Sequence, residues 1–263
     1  MKRHLPVLPT FWDTFKQSFL QVYERLGFSV VISLIWFFAH LLVFLFIPTS
    51  LIQLLIPMVK PGAQVANNIL ASMVLYSVWN GLVTAPLTTA LYGIVHESDE
   101  TALEIKDYFR IVRQHYWSSV KVGLVFGLIV TLLFLNIVNS VIGNNLLLTI
   151  LGNVSFFILF FLLLMQFYFA PLIYYKNNLI SIAKKSFYLA GDNFGFTFVS
   201  LVMLFVLMAL SFGALLPLVF AFGAFITFYI NIAYEAIYKK YHPEAEIEDE
   251  DGKEDLIGEN DNG

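Results

Sequence analysis

Apolar stretches with almost no charge alternate with short polar segments along this chain. Each stretch holds about 20 residues or more, the number that crosses the ~30 Å hydrocarbon core of a bilayer as a helix. The last stretch, residues 196–238, would be ~65 Å long as one helix, so we expect it to fold back at Pro217, a residue suited to the start of a helix. The pattern predicts transmembrane helices over residues 28–47, 69–95, 122–142, 146–173, 196–216 and 217–238.

Turn signals group these helices into three hairpins. Pro48 and Thr49 are expected to interrupt the first span, before an apolar segment at residues 51–59 that would lie in the outer interface. A tight turn is expected at Gly143, Asn144 and Asn145, between the third and fourth spans. The predicted fold class is all-α: a polytopic transmembrane bundle of six spans, with amphipathic interfacial helices on its cytoplasmic side.

The positions of the cations predict the orientation in the membrane. Fourteen of the fifteen Lys and Arg residues fall on one side of the predicted spans, with Lys60 as the exception. Because Lys and Arg near helix ends stay in the cytoplasm, both termini are expected there, in a bacterial cell membrane. Residues 1–27 form the predicted cytoplasmic amphipathic segment and residues 28–241 the membrane domain. The acidic residues 242–263, with no aromatic side chain, are expected to be disordered.

A repeated segment precedes each odd-numbered span. Its three copies share a Lys, a Phe three residues later and a small apolar residue three residues after that, and two of them place apolar residues on one helical face. Ala85-Pro86-Leu87 is echoed by Ala170-Pro171-Leu172. These matches suggest three copies of a unit of surface helix and hairpin, the third without Ala-Pro-Leu, although chance similarity is the competing explanation. The aligned segments are residues 16–22, 106–112 and 184–190.

Several motifs resemble the YesL-like family of bacterial integral membrane proteins, a domain of unknown function. The likeness covers residues from about 11 to 210 and rests on residues 84–92, on the acidic, aromatic and basic residues of 107–117, on 169–172 and on the Lys-rich segment 184–189. The long outer loop after the first span and the acidic tail depart from the family pattern. The resemblance implies a role beside carbohydrate uptake systems and assigns no catalytic residue.

Composition and motifs argue against most kinds of enzyme and metal site. With 59% hydrophobic and 13% charged residues the chain is too apolar for an ordinary soluble domain, and it contains no Cys. Metalloprotease, nucleophile and phosphate-loop motifs are missing, so we expect no enzyme activity, no catalytic residue, no metal and no cofactor. Because the basic linkers flank membrane spans, their expected partners are the lipid bilayer and its anionic head groups, and no nucleic acid is expected.

Polar residues at membrane depth are the candidate functional positions, because each must find a partner there. A ligand role and a helix-stitching role are open for all of them, and stitching is the more common one. Glu235 is expected to pair with Lys239 at the interface. Gly123 and Gly127 could allow close helix packing, and Pro86 and Pro171 are expected to kink their helices. The candidate polar positions are His40, Asn80, Thr84, Thr88, Asn136 and Gln166.

Two functions follow from these features, with a third left open. The first is a non-enzymatic accessory or assembly partner of another membrane complex, such as a carbohydrate uptake system. The alternative is a small-solute transporter or channel with a polar path near the first four spans. A cavity lined by Asn80, Thr84 and Asn136 would favour transport, whereas a solid core of Phe and Leu would favour the accessory role. Lipid binding between the hairpins is the third interpretation.

Overall fold

The computed structural model describes residues 11–55, 63–97, 105–142, 145–214 and 218–241, and every regular element in these ranges is helical. Pro217, Lys60 and the acidic tail lie outside them. Two π-helical turns, Asn80–Thr84 and Leu218–Phe222, precede α4 and α10. The helices are α1 (Phe11–Glu24), α2 (Leu26–Leu55), α3 (Ala63–Trp79), α4 (Ala85–Glu97), α5 (Ile105–Ile142), α6 (Leu146–Gln166), α7 (Phe169–Tyr174), α8 (Leu179–Asp192), α9 (Phe194–Ala214) and α10 (Gly223–Tyr241).

The predicted class, an all-α bundle of membrane-spanning helices, is confirmed. Within the described residues, five helical stretches are long and apolar enough to cross a bilayer, and α1 and α2, which meet at 107°, qualify together as a sixth. The outer surface is apolar: Leu146, Leu147 and Phe157 of α6 are each about 70% exposed or more. Such a surface suits lipid rather than water. Six crossings with cytoplasmic termini stay a prediction.

Three predicted boundaries are wrong. Helix α2 continues through Pro48 to Leu55, so the expected interruption is not present. The expected surface segment before the third span is the first part of α5, which is 38 residues long. At 1.5 Å per residue α5 measures ~57 Å, so it extends well beyond a ~30 Å hydrocarbon core. The fourth predicted span is divided, because α6 ends at Gln166 and α7 begins at Phe169.

The basic ends of the helices meet at one end of the bundle, which we call the basic end. His96 of α4 contacts Glu235 of α10, and Arg110 of α5 contacts Glu97 of α4. Lys240 of α10 donates to Asn193 after α8. These contacts, through α4, bring the Lys- and Arg-bearing parts of α5, α8 and α10 to the same side of the bundle.

The burial pattern repeats in the register of the three aligned segments. Phe19, Phe109 and Phe187 occupy the same aligned position and are 62%, 62% and 53% exposed. The preceding residue is at most 3% exposed in each copy. The same register, continued without a gap, aligns two further buried sets: Ser29, Ser119 and Thr197, and Trp36, Phe126 and Leu204. This agreement is what an internal repeat requires, and superposition of the three units stays its test.

Small residues allow two close helix crossings at equivalent places. A Cβ added to Gly123 of α5 would lie 2.8 Å from the Cα of Gly81 in the first π turn. A Cβ added to Gly223 of α10 would lie 2.8 Å from the Cα of Ser33 in α2. Ser33 and Gly123 are aligned by the repeat, and the Ser33 hydroxyl also accepts from the Ala224 amide at 2.9 Å. The first π turn and α10 are therefore each held against a neighbouring helix at backbone distance.

We expect Gly123→Ala to destabilise the bundle and Gly195→Ala to leave it unchanged or slightly more stable. The added methyl group at position 123 meets backbone, and overpacking of this kind costs about 1–3 kcal/mol. Nothing lies within 4 Å of a Cβ at Gly195, so helix propensity alone acts there. Thermal unfolding in detergent measures the difference. Equal midpoints for the two variants would contradict the close crossing.

Candidate functional site

A cavity of about 210 Å³ lies where the helices cross. Five of the six predicted polar positions line it, and they come from four different segments of the chain. Its polar lining residues are His40, Asn80, Thr84, Thr88, Thr89 and Gln166, and its larger apolar ones are Trp36, Val122, Phe126, Leu163, Phe167, Phe169, Ile173, Leu201, Leu204, Ile226 and Ile230.

Threonines of the first π turn and of α4 form one wall of this cavity. The Thr84 hydroxyl donates to the carbonyl of Ala39 at 2.7 Å, which ties the π turn to α2. The hydroxyls of Thr88 and Thr89 donate to carbonyls one turn earlier, at 2.8 Å each. Because all three protons are directed to backbone carbonyls, the hydroxyl oxygens retain lone pairs as acceptors.

His40 lies against Trp36 beside this wall. Its Nδ1 is 2.9 Å from the Trp36 carbonyl, which can only accept, so Nδ1 carries the hydrogen. The two rings stack with centroids 4.2 Å apart. In the neutral ring Nε2 is then an acceptor. No cluster of three or more His, Asp or Glu side chains suitable for a metal occurs in the part of the chain that the structure describes.

Asn80 and Gln166 complete the polar side. The Asn80 amide donates to the carbonyl of Gly123 at 3.4 Å, across the close crossing of the π turn and α5. Gln166 is the last residue of α6, at the break before α7. A π turn and a helix end both place a side chain where a regular helix would not, and π turns are frequent at functional sites.

Asn136 is the one predicted polar position that lies away from the cavity. Its amide donates to the Ser155 hydroxyl at 3.3 Å and so joins α5 to α6. Of the three residues whose shared cavity would favour transport, Asn80 and Thr84 line the cavity and Asn136 does not.

The chain matches no family model, no curated protein and no solved structure. The YesL-like resemblance therefore stays a prediction that rests on the motifs alone. The interpretation of the site depends on its geometry.

The two predicted kink prolines flank the cavity at helix breaks. Pro86 follows the first π turn and leaves the Leu82 carbonyl without its usual helical donor. The Tyr116 hydroxyl of α5 lies 3.4 Å from this carbonyl and donates to it. Pro171 is in α7, directly after the break that follows Gln166. Both prolines are buried.

Aromatic rings fill the space between the cavity and the basic end. A smaller cavity of about 50 Å³ borders the main one, shares Thr88 and Trp36 with it, and ends at Tyr92. Tyr92 is 1% exposed. Its ring stacks on His96 and meets the rings of Tyr174 and Tyr234 edge to face, with centroids 5.7 and 6.2 Å away.

Hydrogen bonds hold these rings together. His96 Nδ1 lies 3.0 Å from Glu235 Oε1, and the Tyr175 hydroxyl lies 3.3 Å from His96 Nε2. Glu235 thus pairs with His96, on a different helix, rather than with the predicted Lys239. The Tyr174 hydroxyl donates to Glu97 at 2.9 Å. Burial, followed by this bond to a carboxylate, raises the pKa of Tyr174.

Sequence reasoning missed this aromatic cluster as a unit. Tyr92, Tyr174, Tyr175 and Tyr234 carry amphipathic rings, which are favoured at a membrane interface, but this preference does not predict that they contact one another. The sequence separation between His96 and Glu235 is 139 residues, so no local pattern links them. The sequence also does not single out Trp36 and Phe126 as residues of the cavity wall, because they look like ordinary apolar residues of a span.

We expect Asn136 to act only in helix stitching. Asn136→Leu should lower stability by about 0.6 kcal/mol, as for other hydrogen bonds between membrane helices. Ser155→Ala should cost a similar amount, and the double variant little more than either single one, because both remove the same bond. Unfolding midpoints of the three variants in detergent measure this. Fully additive losses would show that the two side chains do not interact.

Proposed function

We propose that this protein moves a small uncharged polar solute across the membrane through the central cavity. The observation that carries the proposal is the convergence of five predicted polar positions on one cavity rather than on separate helix contacts. A polar side chain in the hydrocarbon region is unfavourable unless it has a protein partner or faces water. Helix stitching alone would not require these side chains to surround a shared space.

The irregular helical turns around the cavity, two π turns and one helix break, support the same proposal. The first π turn, the break after Gln166 and the second π turn each precede a helix that lines the cavity. In transporters built from repeats, binding sites commonly lie where membrane helices are discontinuous, because irregular backbone is tolerated where it lines a cavity. The repeated burial pattern is consistent with such a design.

The aromatic cluster at the basic end is the proposed gate. Tyr92 separates the cavity from the hydrogen-bonded pair of His96 and Glu235, and its neighbours come from α7 and α10. Movement of α10 relative to α4 would break this hydrogen bond and part the rings. The gate would then open towards the predicted cytoplasm.

An accessory role is the second candidate, and one observation favours it. Trp12, Phe19 and Tyr23 of α1 are between 62% and 72% exposed, as are Phe109 and Trp117 of α5. Such rings suit the membrane interface, and they also suit a partner protein. The YesL-like resemblance, with its implied place beside carbohydrate uptake systems, belongs to this candidate.

We expect liposomes that contain the protein to take up glycerol faster than protein-free liposomes. Ala170→Leu should reduce this flux towards the protein-free rate, because Ala170 lines both the large and the small cavity. Stopped-flow light scattering after an osmotic step measures the flux. Ala71→Leu, at an exposed position of α3, is the matched control and should behave as the original chain. Equal glycerol fluxes with and without protein would contradict the proposal.

The absence of Cys allows a direct test of the gate. In a Thr88→Cys chain, the Cys should react slowly with a membrane-impermeant maleimide added at the basic end. Adding Tyr92→Ala should speed this reaction by roughly tenfold or more, because the buried ring of Tyr92 no longer fills the path. Tyr92→Phe keeps the ring and should change little. Lys239→Cys, which is exposed, should react fast in every background. If the Cys at position 88 reacts at the same rate with Tyr92 and with Tyr92→Ala, this gate is excluded.

A further inference from the structure

The cavity walls differ between the three proposed repeat units. Thr84 and Thr88 line the cavity from the first unit. The shared Ala-Pro-Leu element aligns them with Phe169 and Ile173 of the second unit, which also line the cavity. Helix α10 of the third unit contributes Ile226 and Ile230, with the same spacing of four residues. One wall is therefore polar, and the two walls in equivalent positions are apolar.

The polar wall is rich in acceptors. The hydroxyl protons of Thr84 and Thr88 are directed to the carbonyls of Ala39 and Thr84, at 2.7 and 2.8 Å. A molecule that meets this wall finds lone pairs, so hydrogen-bond donors are favoured there.

Charge is disfavoured in the cavity. Among the lining residues that the structure describes, none is Asp, Glu, Lys or Arg. Neither a cation nor an anion would find a counter-charge among these residues. In a region of low dielectric constant an unpaired charge is strongly destabilised. The apolar walls, with the rings of Trp36 and Phe126, suit the C–H face of a solute instead.

We infer that the cavity selects small uncharged solutes that carry several hydrogen-bond donors on a carbon frame, as small polyols do, and that Thr84 and Thr88 determine this selection. The inference rests on the proposed function and names its solute class.

The test compares four probes of similar size in liposomes that contain the full chain. Glycerol and erythritol are neutral donors, trimethylamine N-oxide accepts hydrogen bonds but donates none, and glycerate is an anion close to glycerol in size. Glycerol and erythritol should enter faster than into protein-free liposomes, and the other two should not. If no probe enters faster, the proposed function fails. If trimethylamine N-oxide or glycerate enters as fast as glycerol, transport stands and the selection fails.

Threonine variants locate the selection in the wall. The double variant Thr84→Val and Thr88→Val should reduce glycerol flux roughly tenfold, the factor that corresponds to the loss of about one hydrogen bond. Thr84→Ser and Thr88→Ser together should restore most of the flux, because they keep the acceptor oxygens. Thr149→Val, at an exposed position of α6, is the control. An unchanged glycerol flux in the folded double Val variant would overturn the assignment.

Discussion

Backbone and side-chain polar groups inside a bilayer must find partners within the protein, and this constraint organises the bundle. Regular helices satisfy their own backbone, but the π turn at Asn80–Thr84 and the break after Gln166 do not follow the regular pattern. Hydroxyl and amide side chains act there: Thr84 donates to Ala39, Asn80 to Gly123, and Tyr116 to Leu82 beside Pro86. The irregular backbone, the small residues and the polar side chains therefore occur together.

A consequence of this arrangement is that the polar groups surround a space. The close approach at Gly123 and Gly81 brings α5 against the first π turn, and the approach at Gly223 and Ser33 brings α10 against α2. The aligned residues Trp36, Phe126 and Leu204 then converge from α2, α5 and α9 on one cavity. Threonines on α4 make one side of it polar. The aromatic cluster around Tyr92 closes the side that faces the basic end.

Periodicity and charge predicted the class of fold because both are properties of single segments. The hydropathy pattern located the apolar helices, and the cations predicted which ends meet. The polar stripe of Asn80, Thr84 and Thr88 was visible at helical spacing, and the structure places it on the cavity.

The spacing could not show that Asn136 bonds to Ser155, because that contact depends on how α5 is rotated against α6. Pro48 misled because a proline within a long apolar helix is tolerated in membranes. The pairing of His96 with Glu235 joins segments that are distant in the sequence, and local sequence patterns cannot predict such a contact.

The account depends on the cavity being a wet, solute-sized space in the membrane rather than a packing gap. The most direct measurement is a high-resolution cryo-electron microscopy map of the full chain in a lipid nanodisc. The account predicts density for water or solute within hydrogen-bonding distance of the Thr84 and Thr88 oxygens, beside the rings of Trp36 and Phe126. A map in which neighbouring side chains fill this volume, or in which a lipid chain occupies it, would contradict the account.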